Sequence, residues 1–177
     1  MSHYIAVSVL GKDRPGIVSS ITETLFKTGC NIEDSSMVLI RNEFAMILIV
    51  EVLSKRSLPL LKKLLQQTAK KLKLSVLVRN ISLKEERTGS LKGRQFMVSV
   101  YGADKPGIVY KISSFLSEKH INITDVQTAK KAKTYIMFLE IDIPRCVSAA
   151  NVKSSLTKLA LSMGINISIN PLEVSKL

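Results

Sequence analysis

The residues best suited to chemistry lie in one short stretch, Gly11-Lys12-Asp13-Arg14-Pro15-Gly16-Ile17-Val18. Glycines bracket a tight turn, and an apolar helical pattern starts at its end. A helix start carries unpaired N–H groups and the positive end of the helix dipole, which suit an anion such as a carboxylate. Gly16 has no side chain to keep a ligand off the backbone. Asp13 across the turn can accept hydrogen bonds from an ammonium group. Carboxylate and ammonium handled together define an α-amino acid. A second reading fits the same residues: Asp13 caps the helix, and the glycines only permit the turn.

Few other residues offer chemistry. Cys30 and Cys146 are far apart, as are His3 and His120, so no metal-ligand spacing exists and no metal or cofactor is expected. Two cysteines do not make a disulfide scaffold and favour a reducing cytoplasm. Cys30 reads as a small buried hydrophobe. No nucleophile is spaced with a base, and no phosphate loop of the G-x-x-x-x-G-K type occurs, so an enzyme is not expected.

The 177 residues are 46% hydrophobic and 23% charged, a balance that excludes wholesale disorder. The formal charge of +12 is spread evenly. Residues 1–83 carry 12 basic and 6 acidic side chains and residues 94–177 carry 11 and 6, so there is no basic tail. The longest apolar run, Phe44–Val50, is too short to cross a bilayer, and no membrane association is expected.

The turn occurs twice. A shift of 91 residues lays Val7-Ser8-Val9-x-Gly11-x-Asp13-x-Pro15-Gly16-Ile17-Val18 on Val98-Ser99-Val100-x-Gly102-x-Asp104-x-Pro106-Gly107-Ile108-Val109. The match runs ungapped through Asn31-Ile32-x-Asp34 on Asn122-Ile123-x-Asp125, and on to Leu65/Leu156 and Ala69/Ala160. Two copies of one unit follow: residues 1–83, a polar linker at 84–93 with two glycines, and residues 94–177.

Alternation predicts strands over 3–10, 31–40, 44–53 and 74–83, with helices opening at Asp13-Arg14-Pro15-Gly16 and spanning the leucines from Leu58 to Leu72. Ile17, Ile21 and Leu25, flanked by Val18 and Phe26, make the first helix's apolar stripe, and Gly29 ends it. The second copy predicts strands 94–102, 122–131, 134–143 and 165–174 and helices 106–119 and 148–162. The fold class is α+β: two ferredoxin-like βαββαβ units, each an antiparallel four-stranded sheet with two helices on one face.

The G-x-D-x-P-G-I-V turn followed by N-I-x-D, in a βαββαβ unit and present twice, resembles the ACT domain, a small-molecule sensing module. A chain made of two such units is similar to the glycine cleavage system transcriptional repressor family. The resemblance implies amino-acid binding where two units meet, between the turn of one and the second strand of the other. Carried over, it points to Asp13, Arg14, Pro15, Gly16, Ile17 and Val18 with Asn122, and to Asp104, Lys105, Pro106, Gly107, Ile108 and Val109 with Asn31. It implies a non-enzymatic regulator of glycine or serine sensing, a homodimer, and a protein partner such as a transcription regulator. Each asparagine can contact a ligand or satisfy a turn's backbone, and Asp34 and Asp125 read as strand-edge carboxylates. Arg14 is replaced by Lys105, so the two sites need not be equal.

Two alternatives remain. One is a basic nucleic-acid-associated protein, though Lys63, Gln66, Gln67, Lys70 and Lys71 also describe any solvated helix face, and strands three and seven lack an aromatic RNA-stacking pattern. The other is a ligand-free pair used for protein contacts.

Overall fold

The computed structural model describes residues 3–82, 93–132 and 134–172, so the linker expected at 84–93 lies outside the described residues apart from Gly93. The chain divides into two compact units, residues 1–88 and 89–177. The first contains β1 (His3–Lys12), α1 (Ile17–Lys27), β2 (Cys30–Ile40), β3 (Glu43–Val52), α2 (Leu58–Lys71) and β4 (Ser75–Ile81). The second repeats the order with β5 (Arg94–Ala103), α3 (Ile108–Glu118), β6 (Asn122–Lys131), β7 (Thr134–Ile143), α4 (Ala149–Met163) and β8 (Ile165–Pro171). Each unit has one antiparallel sheet, ordered β2-β3-β1-β4 and β6-β7-β5-β8. No helix among the described residues is long and apolar enough to cross a membrane.

Hydrophobic periodicity explains which surfaces meet. In β1, Ile5, Val7 and Val9 point to one face and are buried; in β3, Met46, Leu48, Val50 and Val52 do the same. Ile17, Ile21 and Leu25 of α1 and Leu61, Leu65 and Ala69 of α2 bury against that face. The second core repeats the pattern with Ile108, Ile112 and Leu116 and with Val152, Leu156 and Ala160. Each fully buried aliphatic side chain contributes about 1.5–3 kcal/mol relative to exposure. Val18 and Phe26, expected beside the α1 stripe, are instead exposed, Phe26 at 81%. At 3.6 residues per turn both sit past the edge of the stripe that the sheet covers.

The helix start also corrects an expectation. Asp13 does not cap α1: the N-cap is Gly16, no side chain caps it, and Pro15 lies outside the helix. Gly16 has φ 94° and ψ −6°, and Gly107 has φ 90° and ψ 1°. These are the angles of the third residue of a type II turn, and the proline before each glycine presets the second. The Pro-Gly turn therefore displaces the helix start to Ile17, and to Ile108 in the second unit.

Gly11 and Gly102 have a different role from the turn glycines. A Cβ on Gly102 would come within 2.7 Å of Ile165 Cγ2 and 3.1 Å of Ile165 Cα, while one on Gly11 would meet the movable Leu74 Cδ2 at 2.6 Å. They let the chain at the start of the last strand of each unit run close to the first strand. Gly102→Ala is therefore expected to cost about 1–3 kcal/mol and Gly11→Ala less. Thermal unfolding checks this, with Tm falling by roughly 4–8 °C per kcal/mol in domains of this size.

Candidate functional site

In the first unit, the turn that follows β1 and the start of α1 line a cavity of about 520 Å³. Asp13, Arg14, Pro15, Gly16, Ile17 and Val18, all singled out in the sequence, line it together. Nothing lies within 4 Å of the place a Gly16 side chain would occupy, so the backbone there is open to a ligand. With no side-chain cap on α1, the first-turn N–H groups keep their capacity for an acceptor from outside. The turn is pinned from below by the Asp13 N–H, which donates to the Asn42 carbonyl at 2.9 Å. The Asp13 carboxylate and the Arg14 guanidinium make no hydrogen bond or ion pair with any described residue. A free carboxylate and a free guanidinium thus stand beside an open backbone.

The sheet's part of the lining was not legible as a site. It consists of Met37 and Leu39 from β2 and Phe44 from β3. Leu39 pairs with Phe44 across the two strands, and the order β2-β3-β1 brings them beside the end of β1. In sequence these residues look like ordinary strand hydrophobes. Only the 91-residue alignment marks them, because their counterparts are Thr128, Lys130 and Tyr135.

That exchange changes the second turn. Lys130 Nζ lies 2.6 Å from Asp104 Oδ2, and Lys105 Nζ donates to the Met163 carbonyl at 2.9 Å, at the end of α4. Both charged side chains of this turn are therefore committed within the unit. Tyr135 replaces Phe44, and burial, followed by the Asp104 carboxylate, holds its phenol above the usual tyrosine range. It stays neutral at physiological pH, as an ordinary tyrosine would.

Asn31 and Asn122 do not join the turn of their own unit. Each lies just past the far end of the first helix, whose eleven residues span about 16 Å. Asn31 Nδ2 donates to Glu33 Oε1 at 2.9 Å and lines a groove of about 490 Å³ with Phe26 and Cys30. Asn122 lines the corresponding groove, about 880 Å³, with Tyr110, Ser113 and His120. Asp34 and Asp125 sit in the edge strands at a register shift, where Asp34 Oδ1 accepts from the Ser35 N–H at 2.7 Å. Cys30, read as buried, is only half-buried, with Sγ 3.5 Å from Thr28 Oγ1. His120 follows α3 with φ 53°, the left-handed position that Gly29 holds in the first unit.

Comparison with known proteins is consistent with this duplicated plan. The glycine cleavage system transcriptional repressor of Escherichia coli is 27% identical over 180 residues, covering 98% of this chain and 93% of that protein. A UPF0237 protein of Methanocaldococcus jannaschii is 38% identical over 77 residues, 43% of this chain and 86% of its own length. The crystal structure of an unknown protein from Galdieria sulphuraria superposes with a TM-score of 0.81 at 25% identity, covering 98% of this chain and all of that one. The ACT domain matches twice, at residues 3–79 and 94–170, once in each βαββαβ unit. The chain belongs to the ACT domain family and is a regulatory ACT protein built as a tandem pair.

Proposed function

We propose that the protein is a non-enzymatic sensor that binds a free α-amino acid at the first turn and passes the signal to a protein partner. One observation carries this reading. Asp13 and Arg14 are unpaired among the described residues and, with the open backbone at Gly16, line a cavity large enough for a small molecule. Asp13 takes the ammonium group, and Arg14 with the first N–H groups of α1 takes the carboxylate. Asn122, which the family resemblance pairs with this turn, is the further residue proposed for the site. The second turn, Asp104 to Val109 with Asn31, has the same backbone but no free charges.

The name of the Escherichia coli relative, a glycine cleavage system transcriptional repressor, supports control of amino-acid metabolism as the process this sensor serves; glycine and serine, implied by the family resemblance, are among the ligands to test. In this reading control of transcription runs through a protein partner, and the exposed lysines of α2 are a solvated face.

A thermal-shift screen of the full chain against the proteinogenic amino acids tests the reading. A ligand at a hundredfold excess over its Kd stabilises the site's unit by about 2.7 kcal/mol, which shifts Tm by several degrees. A folded chain that responds to no amino acid contradicts it.

A further inference from the structure

We propose that the first turn selects an amino acid with an apolar side chain, and that Lys130 fills the second turn, leaving one ligand site per chain. The inference rests on the amino-acid reading of the first turn and names the class of ligand.

The repeat supplies its own comparison. In the second unit the turn's carboxylate already holds an ammonium group, that of Lys130 on β6, 2.6 Å from Asp104 Oδ2. The ammonium comes from the strand position that Leu39 occupies on β2, since Lys130 pairs with Tyr135 as Leu39 pairs with Phe44. A primary ammonium at the aspartate is thus a geometry the fold adopts. The first unit has the same aspartate and no lysine to satisfy it.

What replaces the lysine defines the ligand. Met37, Leu39 and Phe44 line the same cavity as Asp13 and Arg14, at positions where the second unit has Thr128, Lys130 and Tyr135. Met37 and Leu39 are more than half exposed, at 58% and 52%. A ligand that sets its ammonium on Asp13 and its carboxylate on Arg14 has Met37 and Leu39 as the exposed apolar surface for its side chain, while Phe44 is buried at 2% exposure. Glycine and serine bury little or nothing there, whereas leucine or methionine covers apolar surface that water now wets.

Calorimetric titration of the full chain with leucine, methionine, glycine, serine and 4-methylpentanoate, which is leucine without its ammonium group, tests the proposal. Leucine or methionine is expected to bind at one equivalent per chain. Glycine and serine should bind at least roughly tenfold more weakly, since a single methylene in an apolar pocket is worth about that factor, and 4-methylpentanoate should not bind. Leu39→Lys copies the second unit into the first and should abolish binding. Its exposed position keeps the fold intact, which circular dichroism confirms, and Met37→Thr should weaken leucine without improving glycine. Glycine or serine binding as tightly as leucine would overturn the side-chain class and leave amino-acid sensing standing. Two equivalents per chain, or full binding by Leu39→Lys, would overturn the role of Lys130. No binding by any amino acid would overturn both this inference and the sensor reading. Loss of self-association in Leu39→Lys without any amino-acid binding would give the apolar wall to a second copy of the chain and overturn the inference as well.

Discussion

Asp13→Asn is expected to weaken amino-acid binding roughly ten- to a hundredfold, while Asp104→Asn leaves it nearly unchanged. The substitution keeps the size of the side chain and removes the charge that an ammonium group requires. A hydrogen bond to a charged group is worth about 1.5–3 kcal/mol, which sets the range. Asp104 is different because Lys130 already holds it in a partly exposed ion pair, a kind of contact worth about 0–1 kcal/mol and screened by salt. Calorimetric titration of both variants, each checked for an unchanged Tm, separates the two turns. Retention of affinity in Asp13→Asn with loss in Asp104→Asn would assign binding to the wrong unit.

The largest effects on stability are expected from Leu65→Ala and Leu156→Ala. These side chains occupy matching positions on α2 and α4 and are fully buried, each at 0% exposure. Each truncation removes buried carbons and leaves a cavity in its core, at a cost of about 2–5 kcal/mol. That is a large share of a typical domain's stability of about 5–15 kcal/mol, so the unit carrying the change should unfold first in a denaturant titration followed by hydrogen exchange. Leu161→Ala, on α4 at 74% exposure, is the control and should stay within about 0.5 kcal/mol of the parent. A loss below about 1 kcal/mol for either core leucine would show that the two helices are not packed as described.

The fold was legible because the same physical pattern is written twice. Period-two alternation in β1 and β5 and helical spacing of Leu61, Leu65 and Ala69 each point to one buried face, and the second copy repeats each pattern. Element ends were less legible. Asp13 is a good cap residue, but Pro15-Gly16 makes a turn that places the aspartate four residues ahead of the helix. Val18 and Phe26 are apolar enough to join the α1 stripe, yet the sheet covers too narrow an arc to reach them.

The candidate site was legible in half. Asp13 to Val18 are contiguous, so their chemistry shows in the primary sequence. Met37, Leu39 and Phe44 reach the turn only through the order β2-β3-β1, and strand order is a long-range property that local patterns do not carry. Lys130 was hidden for the same reason. Its partner Asp104 is 26 positions away in sequence, and the pairing appears only when β6 is laid beside β7 and β5.

Nuclear magnetic resonance of the isotopically labelled full chain tests the central claim most directly, because it reports where an added amino acid binds. Titration with leucine, and separately with glycine, should move the backbone amides of Gly16, Ile17 and Val18 in a saturable manner. Those of Gly107, Ile108 and Val109 should show no comparable response. Saturable shifts confined to the second turn, or no shift at either turn with any amino acid, would contradict the account.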